Sequence, residues 1–302
     1  MNNPAKEFVN KTIKHARFVE IMESIERTHA MSGIVGTGMI LFGPPGVGKS
    51  TALLHYEKQY KKQIENIETP ELTKLPIIKV SVPAKPTIKG LLEKLLEAAD
   101  HPIKNGTSSK LESRLSAVIR NQQVEMIILD EFQHMLREQA QTSTRNVLNF
   151  IKVLMDEHKL AVVMCGIPSA VNAFSQYEEL YQRFCFEQVL LRPFSMCSEA
   201  EMSYFKSYMV TVDRILCDLN VQAVSLSSED MMKRMMLATE GKARYINRLV
   251  VKALMNSTDP NSLMLVDFIS ACGQSPLSPK LEHFNPFAAK LPQVEKRLGQ
   301  LA

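Results

Sequence analysis

The sequence predicts an α/β fold in which helices cover a five-stranded parallel sheet, followed by a small all-α domain. Three observations support this prediction. Short apolar runs alternate with amphipathic stretches over the first two thirds of the chain, a glycine-rich loop joins the first run to a helix, and strand patterns stop after Arg192-Pro193. The 302 residues, 45% hydrophobic and 23% charged, suffice to bury such a core.

Five apolar runs are predicted to be strands because each is short and bounded by turn or helix patterns. They are residues 38–42, 76–82, 124–129, 160–164 and 184–191. Helices are predicted between them at 49–63, 87–99, 108–121 and 143–157. The nearly continuous apolar character of the runs is typical of strands buried on both faces of a sheet.

The segments around this core are predicted to be helical or extended. An apolar stripe from Phe8 to Ile25 predicts a helical N-terminal segment over 1–36, ahead of a core over 37–193. Helices at 198–218, 228–238, 242–256 and 263–272 form a helical domain over 194–272. The Pro- and Ser-rich tail, 273–302, either docks a partner or packs on its own domain.

The composition excludes several classes of protein. No run approaches the roughly 20 apolar residues that a membrane span requires, and the polar N-terminus is unlike a secretory signal. Five cysteines without a C-x-x-C pair indicate neither a disulfide framework nor a zinc site. We therefore expect a soluble, cytoplasmic protein without a membrane partner.

The strongest motif is Gly43-Pro44-Pro45-Gly46-Val47-Gly48-Lys49-Ser50, followed by Thr51. It matches G-x-x-x-x-G-K-[ST] and stands between a predicted strand and a predicted helix, as a phosphate-binding P-loop requires. Its glycines let successive backbone N–H groups surround an anion at a helix N-terminus. Lys49 would contact the β- and γ-phosphates of ATP, and Ser50 would bind Mg²⁺.

A second motif lies at the end of the third predicted strand, where Asp130 and Glu131 follow an apolar run. Ligands of open α/β sheets bind at this edge. Asp130 would hold Mg²⁺ through water, and Glu131 would orient or deprotonate the attacking water. A base at this position favours a hydrolase over a metabolite kinase.

The P-loop, the Asp-Glu pair and a helical domain after the fifth strand resemble the AAA+ ATPases over about residues 10–272. The resemblance implies oligomers with nucleotide between subunits, and an N-terminal segment that contributes to the nucleotide pocket. Arg183 stands at the position of the family's arginine finger, and Arg244 at that of the sensor arginine in the helical lid. The alternative for each is an ordinary surface arginine, and Lys242 competes with Arg244.

The fourth predicted strand departs from the AAA+ pattern. It ends Met164-Cys165-Gly166, without the Asn or Thr that many AAA+ proteins place there as a first sensor.

Within this superfamily the chain resembles the TniB/TnsC group of transposition regulators. The patterns that carry the resemblance are residues 124–135, 149–156 and 161–168, the Gln-Arg-Phe box at 182–184 and the Ala-Thr-Glu-Gly turn at 238–241. The resemblance implies ATP-dependent rings or filaments around double-stranded DNA. It also implies a transposase and a TniQ-like targeting adaptor as partners, in the nucleoid of a bacterial cytoplasm.

The positive charge is unevenly distributed. The net charge of the chain is +4, and the segment 79–120 has eight Lys or Arg against four acids. The resemblance places the DNA contacts in this segment, at Lys85, Lys89, Lys104, Thr107 and Lys110. Such side chains suit phosphates and do not read bases, although the charges could instead be solvated on two surface helices.

The functional hypothesis is an ATPase that assembles on DNA and recruits or activates a transposase. Two alternatives stay open: a helicase loader or initiator with the same fold, and a nucleotide-gated scaffold in which ATP turnover is incidental.

Overall fold

The computed structural model describes residues 3–65, 74–83, 87–102, 106–136, 141–274, 278, 281 and 284–301. Two compact units divide the chain. The sheet unit comprises residues 20–45 and 49–191, and the helical unit comprises residues 1–19, 46–48 and 192–302. The N-terminal segment 1–36 therefore contributes to both units.

In the described part of the sheet unit there are five parallel strands. They are β1 (Thr37–Phe42), β2 (Ile77–Ser81), β3 (Met126–Asp130), β4 (Ala161–Gly166) and β5 (Glu187–Leu190), in the spatial order β2-β3-β4-β1-β5. This confirms the predicted fold class. The last strand is shorter than predicted because Gln182–Phe184 form a 3₁₀ turn, which buries Phe184 completely.

The helices follow in chain order. They are α1 (Pro4–Val9), α2 (Ala16–His29), α3 (Lys49–Glu65), α4 (Ile88–Ala98), α5 (Ser108–Asn121), α6 (Gln141–His158), α7 (Pro168–Phe174), α8 (Glu178–Tyr181), α9 (Glu199–Asp218), α10 (Glu229–Thr239), α11 (Ala243–Asn256), α12 (Leu265–Gln274) and α13 (Leu291–Leu301). The short helices α7 and α8 were not predicted. None of the helices in the described part of the chain combines the length and apolar character needed to cross a bilayer.

The core of the sheet unit follows from the sequence pattern. Buried leucines on α4 recur every three or four residues, at Leu91, Leu92, Leu95 and Leu96, and they share one cluster with Leu111 and Leu115 of α5. Full burial of one such side chain contributes about 1.5–3 kcal/mol. Thr87 and Thr107 cap the two helices by accepting the N–H groups of Gly90 and Lys110 at 3.0 and 3.4 Å.

The helical unit contains α9 to α13 together with α1, and also two short parallel strands, β6 (Gln222–Ala223) and β7 (Ser262–Leu263). The sequence predicts this domain to be all-α, and the two strands depart from that prediction. Two residues are too few to show an alternating pattern, so only the fold reveals the pairing.

The described part of the tail packs on the helical unit. Phe287 is buried and stacks on Phe268 with ring centroids 5.4 Å apart. The Arg234 guanidinium is buried beside Asp230, at 3.0 Å, and donates to the carbonyls of Pro286 and Ala289 at 2.6 and 2.8 Å. These charge-assisted hydrogen bonds from a buried guanidinium fix the tail backbone against α10. Partner docking by the tail stays a prediction.

A partly buried histidine is expected to make the helical unit sensitive to acid. The His15 ring lies 5.3 Å from Phe194 and 5.2 Å from Tyr208. Burial, reinforced by the charge of Arg17, lowers the pKa of His15 from 6.5 to about 4. The folded state therefore favours neutral His15, and this contribution to stability is lost as pH falls from about 6.5 towards 4.

His15→Phe is expected to keep the aromatic packing but to lose this pH dependence. Between pH 7 and pH 4.5, the free energy of unfolding of the unsubstituted chain should fall by about 2–3 kcal/mol more than that of the variant. Urea unfolding at both pH values measures the difference. Equal falls in the two proteins would contradict the assignment.

Candidate active site

The carboxyl ends of β1, β3 and β4 meet at one edge of the sheet unit. The register pairs Phe42 with Gly166 and Leu129 with Met164, so β4 ends between the P-loop strand and the strand that carries Asp130. The Gly43 N–H donates to the Gly166 carbonyl at 3.1 Å. Folding thus brings the two sequence motifs to opposite sides of Gly166.

The P-loop has the backbone conformation that its glycines permit. Gly46 and Gly48 have φ values of 86° and 108°, which cost little for glycine and are unfavourable for other residues. The Lys49 ammonium donates to the carbonyls of Gly43 and Pro44 at 2.7 and 3.1 Å. Lys49 and Ser50 begin α3, whose first-turn N–H groups and dipole favour an anion at this end.

The conformation of the acidic pair is fixed by a hydrogen bond between the Asp130 side chain and the Glu131 backbone. Asp130 Oδ1 accepts the N–H of Glu131 at 2.9 Å, and Glu131 has a left-handed conformation with φ 59°. The Glu131 side chain is exposed and accepts a hydrogen bond from the Gln133 amide. A non-glycine residue in this conformation at a strand end is often functional.

Sequence reasoning missed two neighbours of this pair, Cys165 and Gln133. Burial raises the pKa of the Cys165 thiol, and a hydrogen bond to Asp130 and the negative charge of that residue raise it further. The charge of Lys49 lowers the pKa of Cys165 in part. Cys165 therefore lies near both the P-loop lysine and the acid pair. The sequence carries two signals for Gln133: it stands two residues after Glu131, and it lies within the 124–135 pattern of the family resemblance.

The donors at this edge suit Mg²⁺. Ser50 and Asp130 offer a hydroxyl and a carboxylate, and Mg²⁺ is usually held by one or two such oxygens together with water and phosphate oxygens. Among the described residues there is no group of three or more His, Cys, Asp or Glu that could form an all-protein metal cage.

The two candidate arginines have different surroundings. Arg183 forms a bidentate ion pair with Asp156 of α6, with N···O distances of 3.0 and 2.7 Å, and its side chain is 27% exposed. Arg244 belongs to the helical unit, as does Gly46, and the Arg244 N–H donates to the Gly46 carbonyl at 2.9 Å. The competing Lys242 pairs with Glu240 at 3.0 Å.

The basic segment forms two helices that run in the same direction. His101, just after α4, contacts Gln122, just after α5, at 3.1 Å, and Gln122 accepts the N–H of Leu75 ahead of β2. Both helices therefore end at the amino edge of the sheet. Since α4 and α5 pack side by side, their N-termini lie together at the carboxyl edge.

This arrangement brings some predicted DNA contacts together. Lys89 lies in the first turn of α4, and Thr107 and Lys110 lie at the start of α5. Lys89 is 3.9 Å from Glu93 and about half exposed, so its ammonium remains accessible to a phosphate. The candidates Lys85 and Lys104 lie outside the described residues.

The fold and site define the chain as an AAA+ P-loop protein. Its strand order, its P-loop after β1, its acid pair after β3 and its helical unit after β5 together specify this class. The chain matches the family model for the bacterial TniB protein over residues 8–195, more than half its length. It therefore belongs to the TniB family, which confirms the resemblance noted in the sequence.

Solved structures share the fold at low sequence identity. ORC2 of Aeropyrum pernix, in ADPNP–ADP complexes, has a TM-score of 0.61 and 14% identity, with 87% of this chain and 69% of that chain covered. Cdc6p of Pyrobaculum aerophilum has a TM-score of 0.60 and 12% identity, covering 92% and 72%. A. pernix ORC1, in complex with DNA, has a TM-score of 0.59 and 13% identity, covering 96% and 78%. The curated proteins contain no match.

Proposed function

We propose that the chain is an ATP-hydrolysing switch that assembles on duplex DNA and recruits or activates a transposase. The observation that carries the proposal is the meeting of the P-loop and the Asp130-Glu131 pair on either side of Gly166, in a member of the TniB family. The partners we expect are double-stranded DNA, further copies of the chain, a transposase and a TniQ-like adaptor in the bacterial cytoplasm.

The nucleotide chemistry follows from the charges at the sheet edge. Lys49 exchanges its two loop carbonyls for β- and γ-phosphate oxygens, which are stronger acceptors because they are charged. Ser50 and Asp130 hold Mg²⁺, which neutralises phosphate charge when bound. Glu131 is exposed at the same edge and takes a proton from the attacking water. The A. pernix ORC2 complexes with ADPNP and ADP support a nucleotide ligand for this fold.

Assembly links hydrolysis to the neighbouring subunit. We propose that Arg183 acts as an arginine finger in the next subunit's site and that Arg244 contacts the γ-phosphate from the helical lid. The ion pair between Arg183 and Asp156 is partly exposed, so exchanging Asp156 for a phosphate oxygen costs little. The amide contact of Arg244 with Gly46 supports its position beside the P-loop tip.

The paired N-termini of α4 and α5 support a DNA-binding surface. Two helix dipoles, the Lys89 and Lys110 ammonium groups and the Thr107 hydroxyl favour a phosphate backbone at this end. The A. pernix ORC1 structure in complex with DNA supports a DNA partner for this fold. One subunit offers few cations, so stable binding requires several subunits side by side.

Sedimentation with duplex DNA tests the switch. The protein should pellet with DNA in Mg²⁺ and a non-hydrolysable ATP analogue, and should remain in the supernatant with ADP. Equal pelleting with both nucleotides would contradict nucleotide control of assembly.

A double variant, Lys89→Ala with Thr107→Ala, is expected to weaken DNA affinity at least about tenfold at physiological salt, because each subunit loses two phosphate contacts. Nucleotide binding should be unchanged. The matched control is Lys94→Ala with Ser113→Ala, because Lys94 pairs with Glu97 at 2.7 Å and lies further along α4. Fluorescence anisotropy over a salt series measures both variants. Equal affinity of the two would move the DNA surface elsewhere.

The second candidate function is that of a helicase loader or initiator, because ORC and Cdc6 structures share this fold. The family match favours the transposase partner. Measuring phosphate release with and without DNA distinguishes the transposition switch and the helicase loader from a scaffold. DNA should change the rate of ATP turnover in the first two and leave it unchanged in a scaffold.

A further inference from the structure

Gln133 lies beside Glu131 and Gly166 in the candidate active site, although neither the P-loop nor the acid pair includes it. It lies in a 3₁₀ turn, Phe132–Met135, that follows Glu131 directly. Buried Phe132 and Met135 anchor this turn, and Thr144 of α6 donates to the Met135 carbonyl at 2.6 Å. The turn therefore holds the Gln133 side chain at the sheet edge.

One end of the Gln133 amide contacts the candidate base. Its Nε2 donates to Glu131 Oε2, which fixes the orientation of the amide because a carboxylate only accepts. The Glu131 backbone is held as well, since Asp130 accepts its N–H and His134 donates to its carbonyl at 3.0 Å. Gln133 thus restrains a side chain whose backbone is already fixed.

The other end of the amide faces β4. A methyl group built at Gly166 would lie 3.0 Å from Gln133 Oε1, so the amide occupies the space into which a side chain at 166 would project. Gly166 is the last residue of β4, which lies between the strand that leads into the P-loop and the strand that carries Asp130. The polar group that β4 lacks at this point is supplied instead from the turn after β3.

The Gln133 Oε1 atom is buried and accepts no hydrogen bond within the described part of the chain. A buried acceptor without a donor costs about 1–3 kcal/mol, so its retention beside a base suggests a use in the reaction. A water molecule beside Glu131 has two O–H groups, one for the carboxylate and one for Gln133 Oε1.

We infer that Gln133 positions Glu131 and the attacking water. Its amide provides, at the end of β4, the polar group that Gly166 cannot provide because it has no side chain. The inference rests on the proposed ATP hydrolysis. In that step the water oxygen bonds to the γ-phosphorus, a water proton moves to Glu131, and the bond from phosphorus to the bridging oxygen breaks with its electron pair on ADP. Gln133 exchanges no proton.

Gln133→Ala is expected to lower kcat for phosphate release at least about tenfold, with KM and ATP affinity within about twofold. Gln133→Glu keeps the shape but loses the donor and adds a like charge, so it should lower kcat equally. A packing role alone would leave Gln133→Glu active. Gln63→Ala is the control, since Gln63 is exposed and lies about 20 Å along α3 from Lys49.

Two double variants test whether Gln133 acts through Glu131 and through the space at Gly166. In a Glu131→Gln background, Gln133→Ala should lower kcat no further. Gly166→Asn should restore part of the kcat of Gln133→Ala, because the truncated side chain leaves room for the new amide.

The outcomes distinguish this inference from the proposed function. Turnover by the unsubstituted chain with unchanged kcat in Gln133→Ala, or an equal loss in the Glu131→Gln background, overturns the role of Gln133 alone. ATP binding without any turnover by the unsubstituted chain overturns the proposed hydrolysis and this inference together.

Discussion

Glu131→Gln is expected to bind ATP with an affinity within about twofold of the unsubstituted chain while releasing phosphate at least about 100-fold more slowly. The amide keeps the size of the side chain but cannot accept the water proton, and general base catalysis typically contributes 10²–10⁴-fold. Since Glu131 is exposed at the end of β3, the substitution leaves the buried core intact.

Slow hydrolysis should in turn preserve the DNA-bound oligomer. In sedimentation with ATP, Glu131→Gln should stay on DNA after the unsubstituted chain has dissociated. Lys49→Ala is the control, because it removes the phosphate contact and should abolish nucleotide binding and assembly together. A Glu131→Gln protein that releases phosphate at the normal rate would exclude Glu131 as the base.

Arg183→Ala is expected to lower phosphate release at least about 100-fold in assembled protein, with ATP binding retained, because an arginine finger stabilises charge in the transition state. The loss of stability should be small, since the ion pair with Asp156 is partly exposed and such pairs contribute about 0–1 kcal/mol. Arg27→Ala is the matched control, since Arg27 also forms an exposed ion pair, with Glu187 at 2.6 Å.

Mixing variants shows whether Arg183 acts across a subunit interface. In a mixture of Arg183→Ala with Glu131→Gln, which keeps nucleotide binding and assembly, the Arg183 of a Glu131→Gln subunit can complete the P-loop site of an Arg183→Ala neighbour. The mixture should therefore release more phosphate than the two proteins separately. Activity equal to their sum, with a melting temperature lowered in Arg183→Ala, would make Arg183 a structural residue bound to Asp156.

The fold was largely predictable because each strand of a covered parallel sheet is a short, continuously apolar run. β1, β3 and β4 are almost entirely buried, and their pattern in the sequence is correspondingly clear. By contrast, β6 and β7 have two residues each, and α7 and α8 are short, so local patterns could not define them.

The sequence alone determined which residues are candidates for the site: a P-loop needs its glycines, lysine and serine adjacent, and the acid pair needs a strand before it. Only the tertiary structure decided which distant groups meet. It joined Arg183 to Asp156, aligned the N-termini of α4 and α5, and placed Gln133 against Gly166. The physical reason is that backbone conformation follows from neighbouring residues, whereas parallel strands meet only through crossover connections whose register depends on the whole core.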